Sequence, residues 1–259
     1  LEASPKRPRY IVANIDDEYG KRFLDVDVEH KVAFSLKDAE PYNTDDKSVR
    51  FVFKGSELFT VPLPGVFNIK NILAALALAE AVGVPLQKAK RALERHKPIE
   101  GRAERVEKGQ PFTVVVDYAH TPDSLSSLYH AYRSKRIIGV LGSTGGGRDK
   151  WKRPLMGKIA DEHCDIAFLT NEDPHDEDPQ AIIADLSRGF IKKKPIVILD
   201  RRAAIRESLR EAKLGDAVLI TGKGTDPYIM GAGGTKQEWS DKVVVEEELA
   251  KLGYELASK

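Results

Sequence analysis

Cysteine is nearly absent. Cys164 is the only one in 259 residues, so no internal disulfide can staple this fold. Excess charge is missing too: 41 Lys and Arg stand against 40 Asp and Glu, a formal charge of +1. Nothing global therefore attracts a polyanion or a membrane surface. Long apolar runs are lacking; the longest, Ile72 to Ala79, falls far short of the ~20 residues that span a bilayer. No secretory leader precedes the first strand-like segment, and there is no internal repeat or low-complexity stretch. These absences predict a soluble, cytoplasmic protein with neither nucleic-acid nor membrane partners. The first residue is Leu1 rather than Met, which predicts a piece of a longer protein.

What is present suits a globular chain. Hydrophobic residues make up 41% and charged residues 31%, enough for a core and a solvated surface and too apolar for disorder. At ~100–200 residues per domain, the length predicts two domains. In the first, Tyr10–Ile15 reads as a buried strand ending in the acidic turn Asp16–Gly20, and Val26–Phe34 alternates partly. Val49–Phe53 and Leu58–Val61 read as a hairpin with glycine in its turn. Asn71–Val82, rich in Ala and Leu, predicts a helix buried on most sides and ended by Gly83. A shorter helix over Pro85–Arg95 follows, and His96–Arg105 reads as the interdomain linker. This divides the chain into 1–97 and 98–259.

The second part has a regular rhythm. Strands over Thr113–Val116, Arg136–Leu141, Ile166–Thr170, Ile196–Leu199 and Ala217–Thr221 alternate with helices. Those helices are Pro122–Tyr132, Lys152–His163, Pro179–Phe190 and Arg201–Ala212. Such alternation predicts an α/β fold, a Rossmann-like parallel sheet with helices on both faces. Ligands in such sheets sit beyond the carboxyl ends of the strands. Four polar clusters follow strands directly: Asp117–His120, Gly142–Lys150, Asn171–Asp178 and Gly222–Tyr228. Together they predict one site.

Individual motifs are less decisive. Gly142-Ser-Thr-Gly-Gly-Gly147-Arg148-Asp149-Lys150 has the glycines of a phosphate loop, but Arg148-Asp149 stands where Lys-Ser/Thr is required. It can still bind an anion through backbone N–H groups and guanidinium. Asn68 and Asn71 would share one face at a helix start and could grip a heterocycle edge, although Asn is also an ordinary cap residue. No His/Cys/Asp spacing suits a metal, so His120 reads as a hydrogen-bonding residue. His30, His96, His130, His163 and Cys164 read as structural or surface residues, and Glu246–Glu248 as a solvated helix face.

In combination these strings resemble a known family. Pro64-Gly-Val-Phe-Asn68-Ile-Lys-Asn71, Glu100-Gly-Arg102-Ala-Glu-Arg105, Asp117-Tyr-Ala-His120-Thr-Pro122 and Arg148-Asp-Lys150-Trp-Lys-Arg153-Pro154 occur in an order similar to the second half of the ATP-dependent Mur ligases. The best match is the MurE type, which adds the third amino acid to UDP-N-acetylmuramoyl-L-Ala-D-Glu in peptidoglycan synthesis. The resemblance implies residues 1–97 as the end of a central ATPase domain and 98–259 as an acceptor domain. It implies ATP and Mg²⁺ as cofactors, UDP-MurNAc-dipeptide and a free amino acid as partners, and a monomer. The family's phosphate loop and Mg²⁺ ligands precede Asn14–Asp17 and are not in this sequence, so the chain alone is expected to be inactive. No residue of it is expected to act as a catalytic nucleophile or metal ligand.

Carried over by position, Asn68, Asn71, Arg102, Asp117 and His120 are implied at the nucleotide. Arg148, Asp173, His175, Gly222 and Asp226 are implied at the incoming amino acid, with Arg148 clamping its carboxylate bidentately. Two departures from the diaminopimelate-adding pattern concern the side-chain end of that amino acid. His175 replaces an arginine, and Thr225-Asp226 replaces a His-Glu pair, the acid being followed by Pro227-Tyr228 as in lysine-adding members. The loop around His175 holds Glu172, Asp173, Asp176, Glu177 and Asp178, which would repel a second carboxylate and attract an ammonium. Lysine or another diamino acid is therefore expected over meso-diaminopimelate. The rivals are a folylpolyglutamate- or cyanophycin-type ligase and a non-catalytic binding module descended from a ligase.

Overall fold

The computed structural model describes residues 2–255. The chain divides into two compact units, Leu1–Lys97 and Pro98–Lys259.

In the first unit the parallel pair β1 (Tyr10–Asn14) and β2 (His30–Phe34) is connected through α1 (Gly20–Leu24). A separate antiparallel sheet follows in the order β3 (Tyr42–Thr44), β4 (Val49–Phe53), β5 (Glu57–Val61). Two helices, α2 (Val66–Ala81) and α3 (Leu86–Glu94), complete it. α2 begins at Val66, a turn before Asn71, because Gly65 at φ 81° redirects the chain from Pro64 straight into the helix. Nor is it buried on most sides. Asn68, Ile69, Ile72, Leu73, Leu76 and Ala77 form one buried face against Phe34, Phe51 and Phe59, while Leu78 is 54% exposed. The run of Ala and Leu reflects helix propensity rather than burial.

The second unit is built on a six-stranded sheet. Its strands are β6 (Glu104–Arg105), β7 (Thr113–Asp117), β8 (Ile137–Leu141), β9 (Ile166–Leu169), β10 (Ile196–Val197) and β11 (Ala217–Thr221). They lie in the order β10-β9-β8-β11-β7-β6, all parallel except β6 at the edge. Helices α4 (Pro122–Ala131), α5 (Lys152–His163), α6 (Pro179–Ser187) and α7 (Arg201–Glu211) alternate with the strands. A hairpin, β12 (Tyr228–Met230) with β13 (Lys236–Glu238), leads into α8 (Asp241–Lys251).

Side chains alternate across the sheet. Val114, Val116, Ile138, Val140, Val218 and Ile220 share a core with Ile205 and Leu209 of α7 and Val245 and Leu249 of α8. The opposite face is covered too: the Tyr129 hydroxyl of α4 and Cys164 sit against Gly139. No helix among the described residues is long and apolar enough to cross a membrane.

Two expectations need correction here. Glu248 is only 1% exposed and pairs with Lys251 at 2.7 Å and Arg202 at 3.0 Å, so Glu246–Glu248 is not simply a solvated face. The linker is also shorter than His96–Arg105. Glu104 and Arg105 form β6, and the Ala103 N–H donates to the Asp117 carboxylate at 2.6 Å, which fastens 101–105 to the second unit. Residues 97–100 are exposed and lie outside any element. Limited digestion of the chain is therefore expected to cut between Arg95 and Glu100 first. First cuts inside α2 or β7 would contradict this division.

Candidate functional site

A cavity of about 750 Å³ opens at the carboxyl ends of β7, β8, β9 and β11. The order of the sheet explains its position. The chain leaves β7 for β8 and steps outward, and β11 later returns between them, so the loops diverge where β11 ends. Residues from all four post-strand loops line it, Tyr118, Thr144, Glu172 and Gly222 among them.

Glu172 lies at its floor. It is 2% exposed, and its Oε1 accepts from the Thr144 hydroxyl at 2.9 Å, while Oε2 is buried with no hydrogen-bond partner. Burial pushes its pKa up from the usual carboxylate range, against the opposing pull of Arg201 and of Thr144. Gly222 makes room for it. That residue has φ 107°, and a Cβ built there would lie 2.1 Å from Glu172 Oε2. Only glycine suits both conditions.

The neighbouring charges are already matched. Lys223, 1% exposed, donates to both Asp173 oxygens at 2.8 and 2.7 Å, and the Met230 N–H donates to Asp173 Oδ1 at 2.8 Å. Arg201 donates to both oxygens of Asp241 at 2.8 and 2.7 Å. Around the ends of β9 and β11, two buried cations, Arg201 and Lys223, thus face three buried carboxylates: Glu172, Asp173 and Asp241. The unmatched one is Glu172. Sequence reading placed it in the acidic loop but not among the site residues, since nothing in a sequence tells a paired acid from an orphan.

The rest of that loop is not the repulsive block its composition suggested. Arg153, with no exposed side-chain surface, donates to both Glu177 oxygens at 2.7 and 2.9 Å, and Lys150 pairs with Glu177 at 2.8 Å. These partners hold the Glu177 pKa down to about 2. Asp178 accepts from the Gln180 N–H at 2.9 Å as the cap of α6, and Asp176 accepts from the Gly233 N–H at 2.7 Å. Of the expected acids, Glu172 and Asp226 remain facing the cavity without full neutralisation. Asp226 stands 3.7 Å from Lys223 Nζ with its side chain 42% exposed.

On the rim, Arg148 is exposed, and its guanidinium has no partner among the described residues. His175 also lines the cavity; its backbone is at φ 51°, and its N–H donates to the Met230 carbonyl at 3.0 Å. Its ring packs on Gly146, where a Cβ would lie 2.8 Å from ring atoms.

The other expected residues of this unit form the wall toward β7. Asp117 accepts from the Ala103 and Ala119 N–H groups, each at 2.6 Å, so both its oxygens already hold backbone. Burial raises its pKa, with those two hydrogen bonds opposing. His120 Nδ1 lies 2.8 Å from the Tyr118 carbonyl; because that oxygen can only accept, Nδ1 carries a proton and Nε2 is left for a ligand. The Arg102 guanidinium lies 4.5 Å over the Tyr118 ring.

Asn68 and Asn71 belong to the first unit. The Asn68 amide is buried and donates to the Pro64 carbonyl at 2.7 Å, and Asn71 Nδ2 lies 3.4 Å from Asn68 Oδ1. Asn68 thus ties the helix start to the preceding turn, and the exposed Asn71 keeps free hydrogen-bonding capacity. Among the described residues no group of three or more His, Cys, Asp or Glu could hold a metal ion. Cys164 is buried and its thiol is pushed up to about 12, which makes it inert.

Comparison with known proteins follows this division. A family model described as Mur ligase middle domain matches residues 1–79, and one described as Mur ligase, glutamate ligase domain, matches 101–224. A UDP-N-acetylmuramyl-tripeptide synthetase of Roseiflexus sp. (strain RS-1) is 40% identical over 97% of the chain and 53% of the relative. A UDP-N-acetylmuramoyl-L-alanyl-D-glutamate–2,6-diaminopimelate ligase of Clostridioides difficile (strain 630) is 36% identical over 93% and 53%. The chain thus spans about half the length of the curated relatives it matches. A solved 2,6-diaminopimelate ligase structure, 30% identical, superposes with a TM-score of 0.59 over 95% of the chain and 54% of that protein. MurF from Acinetobacter baumannii, 17% identical, shares the fold with a TM-score of 0.67 over 95% and 52%.

Proposed function

The chain belongs to the Mur ligase family, and from that premise we propose that its second unit is the amino-acid acceptor site of a MurE-type peptide ligase acting in peptidoglycan synthesis. The reaction is the joining of a free amino acid to UDP-N-acetylmuramoyl-L-Ala-D-Glu through an acyl phosphate. ATP with Mg²⁺ would supply the activation of the donor carboxylate. Within the second unit, Arg102 and the free Nε2 of His120 have hydrogen-bonding capacity left toward the nucleotide; within the first, Asn71 keeps its own. Asp117 acts there by holding Ala103 and Ala119 in place.

The residues of this chain orient and hold the incoming amino acid. Arg148, unpaired on the rim among the described residues, takes its α-carboxylate in a two-pronged contact. Glu172 and Asp226 take an ammonium at the other end of the side chain. Holding the acceptor at both ends presents its α-amine to the acyl phosphate, chemistry that needs positioning more than a protein nucleophile.

The observation that carries this reading is the buried, unpartnered Oε2 of Glu172. A desolvated carboxylate without a donor is costly, and a ligand ammonium removes the cost. Lysine or another diamino acid is therefore the proposed acceptor. Relatives whose names specify 2,6-diaminopimelate support a second reading, in which a His175 ring N–H donates to a distal carboxylate. Calorimetry of the chain with L-lysine and with meso-diaminopimelate separates the two. Tighter binding of lysine is expected; tighter binding of meso-diaminopimelate would replace the first reading with the second.

A further inference from the structure

Arg102 and Tyr118 form an arrangement that the acceptor reading does not require. Arg102 is exposed, and the structure gives its guanidinium one close side-chain contact, the face of the Tyr118 ring at 4.5 Å. Among the described residues no carboxylate pairs with its five N–H donors, and both oxygens of nearby Asp117 already accept backbone N–H groups. A guanidinium whose central carbon lies over an aromatic face is attracted by the ring while its N–H donors stay available to an oxyanion.

The ring itself is held on several sides. His120 meets it edge-on, with centroids 4.7 Å apart and planes at 70°. Gly224 packs against its base so closely that a Cβ there would lie 2.7 Å from Tyr118 Cβ. Gly101, beside Arg102, presses on the same loop: a Cβ there would lie 2.5 Å from the Gly224 carbonyl carbon. Tyr118 also lines the acceptor cavity, as do Gly222 and Asp226 of the loop it touches. The ring is thus a partition between the acceptor cavity and Arg102.

We propose that Tyr118 is a positioning residue that presents the Arg102 guanidinium, as a phosphoryl-binding group, at a fixed place beside the acceptor cavity. It rests on the ligase reading only for naming a phosphoryl group as the anion; the clamp itself is geometry of this chain. The ring is what acts, and the hydroxyl is dispensable. Tyr118→Phe should therefore behave as the parent, whereas Tyr118→Leu releases the guanidinium to solvent. A surface cation–π contact is weak, so the expected loss of phosphate affinity is only about two- to fivefold.

The test uses the whole chain with ¹⁵N- and ¹³C-labelled arginine and inorganic phosphate as the probe. In the parent and in Tyr118→Phe, the Arg102 δ protons should resonate upfield of their free-arginine position, and the Arg102 Nε–H signal should move on adding phosphate. In Tyr118→Leu the upfield shift should vanish and the phosphate response weaken by that factor. Arg102→Gln should abolish the response with the remaining amide spectrum intact. If Tyr118→Leu fails to fold, the δ-proton shifts of the parent and Tyr118→Phe decide alone. Free-arginine positions in both, or a Tyr118→Leu protein indistinguishable from the parent, would overturn the proposal. Lysine binding is measured separately and can fail without touching this result.

Discussion

Asp241→Ala is expected to destabilise the second unit by about 3–5 kcal/mol, the range for breaking a buried ion pair by removing one partner. Arg201 and Asp241 have side chains only 1% and 0% exposed. Arg201 also donates to the Thr221 carbonyl at 2.8 Å and the Asn171 carbonyl at 3.3 Å, and the Trp239 indole donates to Asp241 Oδ1 at 2.8 Å. The pair therefore fastens the carboxyl ends of β9 and β11 to α7 and to the start of α8. Without Asp241, a guanidinium stays in the interior with two carbonyls for company. Replacing both partners by apolar residues, Arg201→Met with Asp241→Leu, should recover most of the loss, because no charge is then stranded. Both tryptophans, Trp151 and Trp239, lie in the second unit, so their fluorescence in urea reports that unit's unfolding. A midpoint lowered by less than the equivalent of 1 kcal/mol in Asp241→Ala would mean the pair is solvated. The substitution also reaches the site. Arg201 is the main charge that favours the ionised form of Glu172. Freed of Asp241, it should favour that form more strongly.

The architecture of the second unit was readable because each β-segment is a short apolar run followed by a polar cluster. A strand buried on both faces produces that run, and a ligand edge produces that cluster. The pieces that escaped are those with little apolar content. β3 and β6 are three and two residues long, too short for a period-two pattern to register despite Tyr42 and Thr44, and strand pairing defines them. The early start of α2 escaped because it depends on a positive φ at Gly65, a property of backbone rather than of side-chain pattern. The charges of the site were legible as a list but not as pairs. Arg148–Arg153 and Glu172–Asp178 are consecutive post-strand loops of opposite sign, which in hindsight signals mutual neutralisation through Arg153 and Glu177. Which acid stays unpaired is a three-dimensional fact. Glu172 differs from Asp173 by one position in sequence, yet Lys223 reaches Asp173 and leaves Glu172 Oε2 without a partner.

Glu172→Gln should separate stability from binding. In the empty protein the Glu172 pKa is raised by burial, so the folded state holds its proton where the unfolded chain has released it. The contribution of this group to stability is then greatest at low pH. It falls as pH rises from the ordinary carboxylate range through the shifted pKa, because the unfolded state binds fewer protons across that window. Glutamine has no proton to release and keeps the Thr144 contact through its carbonyl oxygen. The variant should therefore match the parent at acid pH and be the more stable above the window, read as a higher Tm. Binding should move the opposite way. An ammonium held against a buried carboxylate loses its charge partner, and truncating one side of such a pair costs at least about 2 kcal/mol, roughly 30-fold in Kd. In the parent, lysine affinity should rise with pH as Glu172 ionises; in Glu172→Gln it should lose that dependence. Titrations at several pH values, with melting curves on the same samples, contain both readouts. A variant that binds lysine within threefold of the parent, or that melts lower than the parent at neutral pH, would mean that Glu172 serves the fold and that the ammonium is held elsewhere.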